Sequence, residues 1–227
     1  MKTIIRNILL TAAFSVCSLM VCAAEESLVS LAEKQQVPQA IAMIDAGVDV
    51  NRASADGTTA LHWAAYYGEL ELAQRLIRAE ADPDTRNDYG SSPLGEAATK
   101  GDLEMISLLL EAGADADSAN PEGQTALMAV ARTGNIAAAK LLLEKGADIN
   151  AVEGWGGQSA LHWAAARKHP EMVEFLIVNG AEVDVLGIDR NWERRVTSEP
   201  RMKDMKTGGF TPLLYAVREN CIACVNA

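Results

Sequence analysis

The 227 residues are 49% apolar and carry 31 acidic against 20 basic side chains, a formal net charge of −11. A chain this apolar has the material for a sizeable core, and one this acidic is a poor match for phosphate backbones, which binders neutralise with Lys and Arg. Three His, four Trp, four Tyr and three Phe leave little for His-rich metal sites or base-stacking platforms.

At the amino terminus, Lys2 and Arg6 precede an uncharged, largely apolar run from Ile8 to Ala24 that ends in the small residues Cys22-Ala23-Ala24. Residues 1–24 therefore read as a secretory signal peptide cleaved after Ala23 or Ala24, which places the mature chain in the periplasm or outside the cell. The competing reading is an uncleaved membrane anchor over residues 8–24. That run is short for a bilayer span and is diluted by Thr11, Ser15 and Ser18. Lipidation at Cys22 is disfavoured by the branched Val21 before it.

Beyond the leader the chain repeats itself. Gly57, Gly90, Gly123, Gly157 and Gly209 each open a similar segment, giving units 57–89, 90–122, 123–156, 157–208 and a truncated 209–227. Two residues after each glycine stands Thr59, Ser92, Thr125, Ser159 or Thr211, and four after it Leu61, Leu94, Leu127, Leu161 or Leu213. Small residues follow at Ala64-Ala65, Ala97-Ala98, Val130-Ala131, Ala164-Ala165 and Ala216-Val217. An apolar pair then recurs at Leu76-Ile77, Leu109-Leu110, Leu142-Leu143 and Leu176-Ile177. A divergent leading unit, residues 25–56, keeps the register through Leu28, Leu31-Ala32, Met43-Ile44 and Gly47-Val48-Asp49.

The segments Thr59-Ala60-Leu61-His62-Trp63-Ala64 and Ser159-Ala160-Leu161-His162-Trp163-Ala164 resemble the signature of the ankyrin-repeat family, and the likeness extends over about residues 26–227. The resemblance implies an all-α solenoid of stacked helix-turn-helix units with hairpin-like turns. The residues make physical sense in that fold. Thr or Ser at the head of a unit caps the first helix, Gly68, Gly101 and Gly134 stop it, and Gly113, Gly146 and Gly180 stop the second. Pro170 suits a first helical turn. One unit alone buries too little apolar surface to offset the entropy of ordering its backbone, so the units fold only in a stack with polar ends. Glu25, Glu26, Glu33, Lys34, Gln35, Gln36 and Gln39 supply a polar leading end. The trailing Cys221–Ala227 stops midway through a helix, which implies a fragment or another segment covering that end.

Catalytic chemistry is scarce. No Gly-rich phosphate loop, H-E-x-x-H helix or G-x-S-x-G elbow is present, so no catalytic residue, metal site or cofactor is expected. His62 and His162 occupy one repeat position three units apart and are expected to tie each turn to the next by hydrogen bonds, with Trp63 and Trp163 as packing residues. Asp82, Asp115, Asp148 and Glu182 recur at one turn position as turn formers. Cys221 and Cys224 have redox-motif spacing without the βαβ context of such motifs, and read as ordinary helix residues.

Departures from the repeat point to the binding surface. The fourth unit carries an insertion, residues 186–207, which holds Trp192, Arg194 and Arg195 among six basic and four acidic side chains. At the end of each first helix stand Tyr66-Tyr67, Thr99-Lys100, Arg132-Thr133, Ala166-Arg167 and Arg218-Glu219, which the resemblance puts on the concave side. A stripe of Lys100, Arg132, Arg167 and Arg218 beside an aromatic anchor would attract an acidic partner, although cations also complement helix C-termini. Fingertip positions Asp56, Arg86, Tyr89, Glu122 and Trp155 would extend that surface. The function expected is an exported, monomeric, non-catalytic module that binds a partner protein and neither nucleic acid nor, with its leader removed, membrane. The alternatives are a recognition part of a longer enzyme and a membrane-tethered scaffold.

Overall fold

The computed structural model describes residues 26–188 and 209–227. The leader and the insertion residues Trp192, Arg194 and Arg195 lie outside the described residues. Twelve helices, and no strand, occur among the described residues: α1 Leu28–Glu33, α2 Val37–Asp45, α3 Ala60–Tyr67, α4 Leu70–Arg78, α5 Pro93–Lys100, α6 Leu103–Glu111, α7 Ala126–Thr133, α8 Ile136–Glu144, α9 Ala160–Ala166, α10 Pro170–Val178, α11 Pro212–Arg218 and α12 Ile222–Asn226. The first helices of successive units pack on one another in one layer, and the second helices stack in another.

Local chemistry starts each inner helix. Ser92, Thr125 and Thr211 accept the backbone N–H three residues on, at 3.2, 3.4 and 3.4 Å. Gly68, Gly101 and Gly134 end α3, α5 and α7 in the left-handed region. Where the repeat lacks glycine at a helix stop, the stack imposes the same backbone on Gln35, Glu80, Lys168 and Asn220, at φ of 57, 65, 62 and 55°. Gln35, Glu80 and Lys168 each cost about 1–2 kcal/mol relative to a right-handed residue, which the packing of the flanking helices must offset, whereas Asn tolerates this region.

The interior is one continuous cluster running through all the units. Leu61, Leu94, Leu127 and Leu161 are each at most 1% exposed, whereas Leu213, at the same place in the last unit, is 52% exposed. Val217 and Val225 are likewise open although their counterparts Ala65, Ala98, Ala131 and Ala165, and Ala73, Ile106, Ala139 and Val173, are buried. Cys221 and Cys224, expected as ordinary helix residues, are instead joined by a disulfide at the start of α12, with a Cα separation of 5.2 Å. Two cysteines three positions apart come within bonding reach because Cys221 is not yet helical and caps the turn that carries Cys224.

A ladder of turn side chains links the units. Asp49, Asp82, Asp115 and Asp148 each accept the N–H two residues on, at 2.9–3.0 Å. The residues so held, Asn51, Asp84, Asp117 and Asn150, accept the N–H of Asp82, Asp115, Asp148 and Glu182 in the following unit, at 2.8, 2.8, 2.6 and 2.9 Å. The recurring aspartates are thus turn formers, and Glu182 joins the ladder through its backbone.

Hairpin-like fingers precede the inner helices. Ser54, Asn87, Asn120 and Glu153 donate backbone N–H groups to Thr58, Ser91, Gln124 and Gln158 at 2.9–3.1 Å. Neighbouring fingers meet through Asp88 N–H on Asp56 O at 2.8 Å and Gly154 N–H on Glu122 O at 2.6 Å. Gly57, at φ +77°, sits where a Cβ would lie 3.1 Å from the Asn87 Cα, so both its conformation and this close approach require glycine. In the last finger the pairing is Gly187 N–H on Phe210 O at 3.2 Å, while Ile188 N–H reaches Gly156 O at 2.6 Å. Ile188 and Gly209, the described residues on either side of residues 189–208, therefore lie at a fingertip beside the finger that carries Trp155.

Candidate binding surface

The inner-helix ends assemble the aromatic end of the surface. Ala64 and Ala65 are buried, which lets α3 sit close to its neighbours and gathers Trp63, Tyr66 and Tyr67 around its last turn. The Trp63 and Tyr67 rings stack at 5.8 Å, and Tyr66 meets Tyr67 and Trp63 edge-on at 5.0 and 5.9 Å. Such pairs stabilise by about 0.5–1.5 kcal/mol beyond area burial, which favours this arrangement of the three rings. The Lys100 ammonium, from the next unit, lies 4.3 Å from the Tyr66 ring centroid. Trp63, expected only as a packing residue, also builds this cluster.

The basic positions divide into two kinds. Arg132, half-buried at the end of α7, and Arg167, exposed just past α9, have no carboxylate within ion-pair distance among the described residues. Arg218 instead pairs with Glu219 at 3.0 Å and covers the Tyr215 ring at 4.6 Å. Its charge is met within its own unit, so the four cations do not form one uniform stripe.

The fingertips divide in the same way. Tyr89 and Trp155 are 73% and 63% exposed. Arg86, expected on the outer surface, turns to the next finger and bonds the Ala119 carbonyl and Ser118 Oγ. Asp56 accepts Ser54 Oγ at 2.5 Å, Thr58 N–H at 3.2 Å and Thr58 Oγ1 at 3.0 Å, and these bonds, the Ser54 hydroxyl foremost, hold its pKa below the usual carboxylate range. Both serve the fingers themselves. Glu122 meets the neighbouring finger through its backbone carbonyl.

Trp155 stands on a finger built differently from the others. Glu153 is 3% exposed, and its carboxylate accepts Trp155 N–H and Gly156 N–H at 2.6 Å and Gln158 N–H at 3.2 Å. A buried carboxylate is tolerated because backbone donors replace its lost water. In two other fingers a shorter Asn does this work: Asn87 Oδ1 accepts Tyr89 and Ser91 N–H, and Asn120 Oδ1 accepts Gln124 N–H. The longer Glu side chain matches a finger one residue longer. The sequence signal was a Glu in the column of Asn87 and Asn120, followed by the one interval of 34 rather than 33.

The histidines act structurally. Nδ1 of His62 accepts Thr59 N–H at 3.2 Å while Nε2 donates to Ser91 O of the next unit at 3.0 Å. His162 does the same with Ser159 N–H at 3.1 Å and Phe210 O at 3.1 Å. Burial pushes both imidazoles below their ordinary pKa, a shift only partly opposed by the carbonyl bonds. The unfolded chain therefore binds more protons as pH falls below about 6.5, and the stability supplied by the neutral rings is lost from there down through the folded pKa values. The melting temperature is expected to drop between about pH 7.5 and 5, with a smaller drop in the His62→Gln/His162→Gln variant; identical pH profiles would refute this assignment. No three metal-ligating side chains converge among the described residues.

A family model described as ankyrin repeats (3 copies) matches residues 19–120 and 96–186. No curated protein matches the chain.

Proposed function

The chain belongs to the ankyrin-repeat family, and from that premise we propose that it is an exported module, without catalysis of its own, that binds an acidic partner protein through its inner face and its basic insertion. Ankyrin repeats are generally protein–protein interaction modules, and the leader read in residues 1–24 supports a periplasmic or secreted location. The observation that carries the proposal is the aromatic cluster of Trp63, Tyr66 and Tyr67 at the end of one first helix, together with two guanidiniums at the ends of later first helices, Arg132 and Arg167, that no carboxylate meets among the described residues. Desolvated aromatics and Arg are the side chains most enriched at interface hot spots. In a net-acidic protein two Arg with no ion pair among the described residues attract partner carboxylates and speed their encounter.

The test is capture of the partner from an envelope extract by three forms of the protein: intact, Tyr66→Glu, and a form lacking residues 189–207, which keeps the finger residues Gly187 and Ile188. Both altered forms are expected to melt near the intact protein and to capture at least about ten-fold less partner. Undiminished capture by both would refute the surface. Sequencing the mature amino terminus tests export: a start at Ala24 or Glu25 is expected, and a retained leader would replace the exported module with a membrane-tethered one.

A further inference from the structure

We infer that the inner face reads one extended acidic segment, in which an apolar side chain seats at Tyr66 and Tyr67 and two carboxylates about three residues apart meet Arg132 and Arg167. This rests on the inner-face reading above and specifies the chemistry of its partner.

The spacing follows from the stack. The aromatic cluster belongs to the unit 57–89, Arg132 to the unit two further on and Arg167 to the next. Packed helices lie roughly 10 Å apart, so the backbones of Arg132 and of Arg167, one position further along its unit, are set about 10 Å apart, and that of Arg132 about 20 Å from that of Tyr66. An extended chain advances about 3.3 Å per residue, so about three residues separate the two carboxylates and about six separate the first from the apolar group. A helical ligand would need about seven residues for the same 10 Å.

The column one helical turn before these helix ends lies between the three points. Trp63, Glu96, Ala129 and Trp163 occupy one column of the inner helices, and Ala129 is the small member between bulky neighbours. Glu96, the one carboxylate in that column, is held by Ser91 Oγ at 2.5 Å. Lys100 sits on Tyr66, adding positive charge between the aromatic end and Arg132. Two separated guanidiniums favour two spaced carboxylates over one phosphate, because each planar fork takes its own carboxylate through two parallel hydrogen bonds.

The probes are fluorescein-labelled peptides in a Gly/Ser background, with Phe followed by Glu about six and nine positions on, and the same pattern in reverse chain order. Controls replace both Glu by Lys or move both beside Phe. Anisotropy titrations use the full chain, Arg132→Glu/Arg167→Glu and Tyr66→Ala/Tyr67→Ala, with melting curves establishing that each variant is folded. One chain order is expected to bind, at least about ten-fold more tightly than its Lys control and than its respaced control. That binding should fall at least about ten-fold in the arginine variant, several-fold in the tyrosine variant, and between about 50 and 300 mM salt. No binding by either order, equal binding by the respaced peptide, or binding unchanged in the arginine variant overturns the inference. A benzophenone in place of the Phe ring separates the two levels. Attachment near Tyr66 without sensitivity to the arginine variant, or no peptide binding with partner capture intact, removes the spaced-carboxylate reading alone. Attachment away from the inner helices removes the inner-face function with it.

Discussion

Replacing Leu127 by Ala is expected to destabilise the protein by about 3–5 kcal/mol, while Leu213→Ala, at the same place in its unit, is expected to cost less than about 1 kcal/mol. The two leucines share a helix position and a sequence context. What differs is the neighbour. Leu127 is 0% exposed because α7 lies between α5 and α9, so its truncation leaves a cavity that rigid helices on both sides cannot close. Leu213 is 52% exposed, and water already reaches the space its side chain would vacate. Urea unfolding of the two variants measures the contrast directly, with the slope unchanged if the native stack persists. Equal losses would mean that position within a unit, rather than stacking between units, decides stability.

The repeat made much of this architecture legible. Helix starts were readable because an N-cap is local chemistry: Ser92, Thr125 and Thr211 need only the N–H three residues on. The same holds for Gly68, Gly101 and Gly134, which reach the left-handed backbone without a Cβ clash. The bonds from His62 and His162 to the next unit were also readable, since one side chain recurring at one position implies one recurring acceptor.

What escaped the sequence depends on groups that meet only in space. Gln35, Glu80 and Lys168 take up a left-handed backbone that their own chemistry disfavours, because packing on both sides fixes the register. Arg86 and Arg218 looked available to a partner, yet each finds an internal one: Arg86 across the finger junction and Arg218 on Tyr215 and Glu219. Column position alone cannot separate Arg218 from Arg132, nor does it show that the fingertip Arg86 turns to the next finger. Glu153 passed unnoticed since a lone acidic residue near a turn reads as solvated; its burial shows only when the three N–H groups of its finger converge on it. These exceptions narrow the proposed surface from a broad basic stripe to two arginines and an aromatic end.

The central physical claim is that successive units share a single interior, leaving the inner-helix ends and fingertips facing outward for recognition. The most direct measurement is circular dichroism and thermal unfolding of the isolated internal unit, residues 90–122. In the stack its Leu94, Ala97, Ala98, Met105, Ile106 and Leu109 are at most 1% exposed, with units on both sides contributing to that burial. Alone, these faces return to water, and ordering each residue still costs about 1–2 kcal/mol of backbone entropy. The account predicts a coil-like spectrum with no cooperative melt, against a single sigmoidal transition for the full chain. A helical spectrum with a sharp melting transition in the isolated 33-residue unit would contradict it.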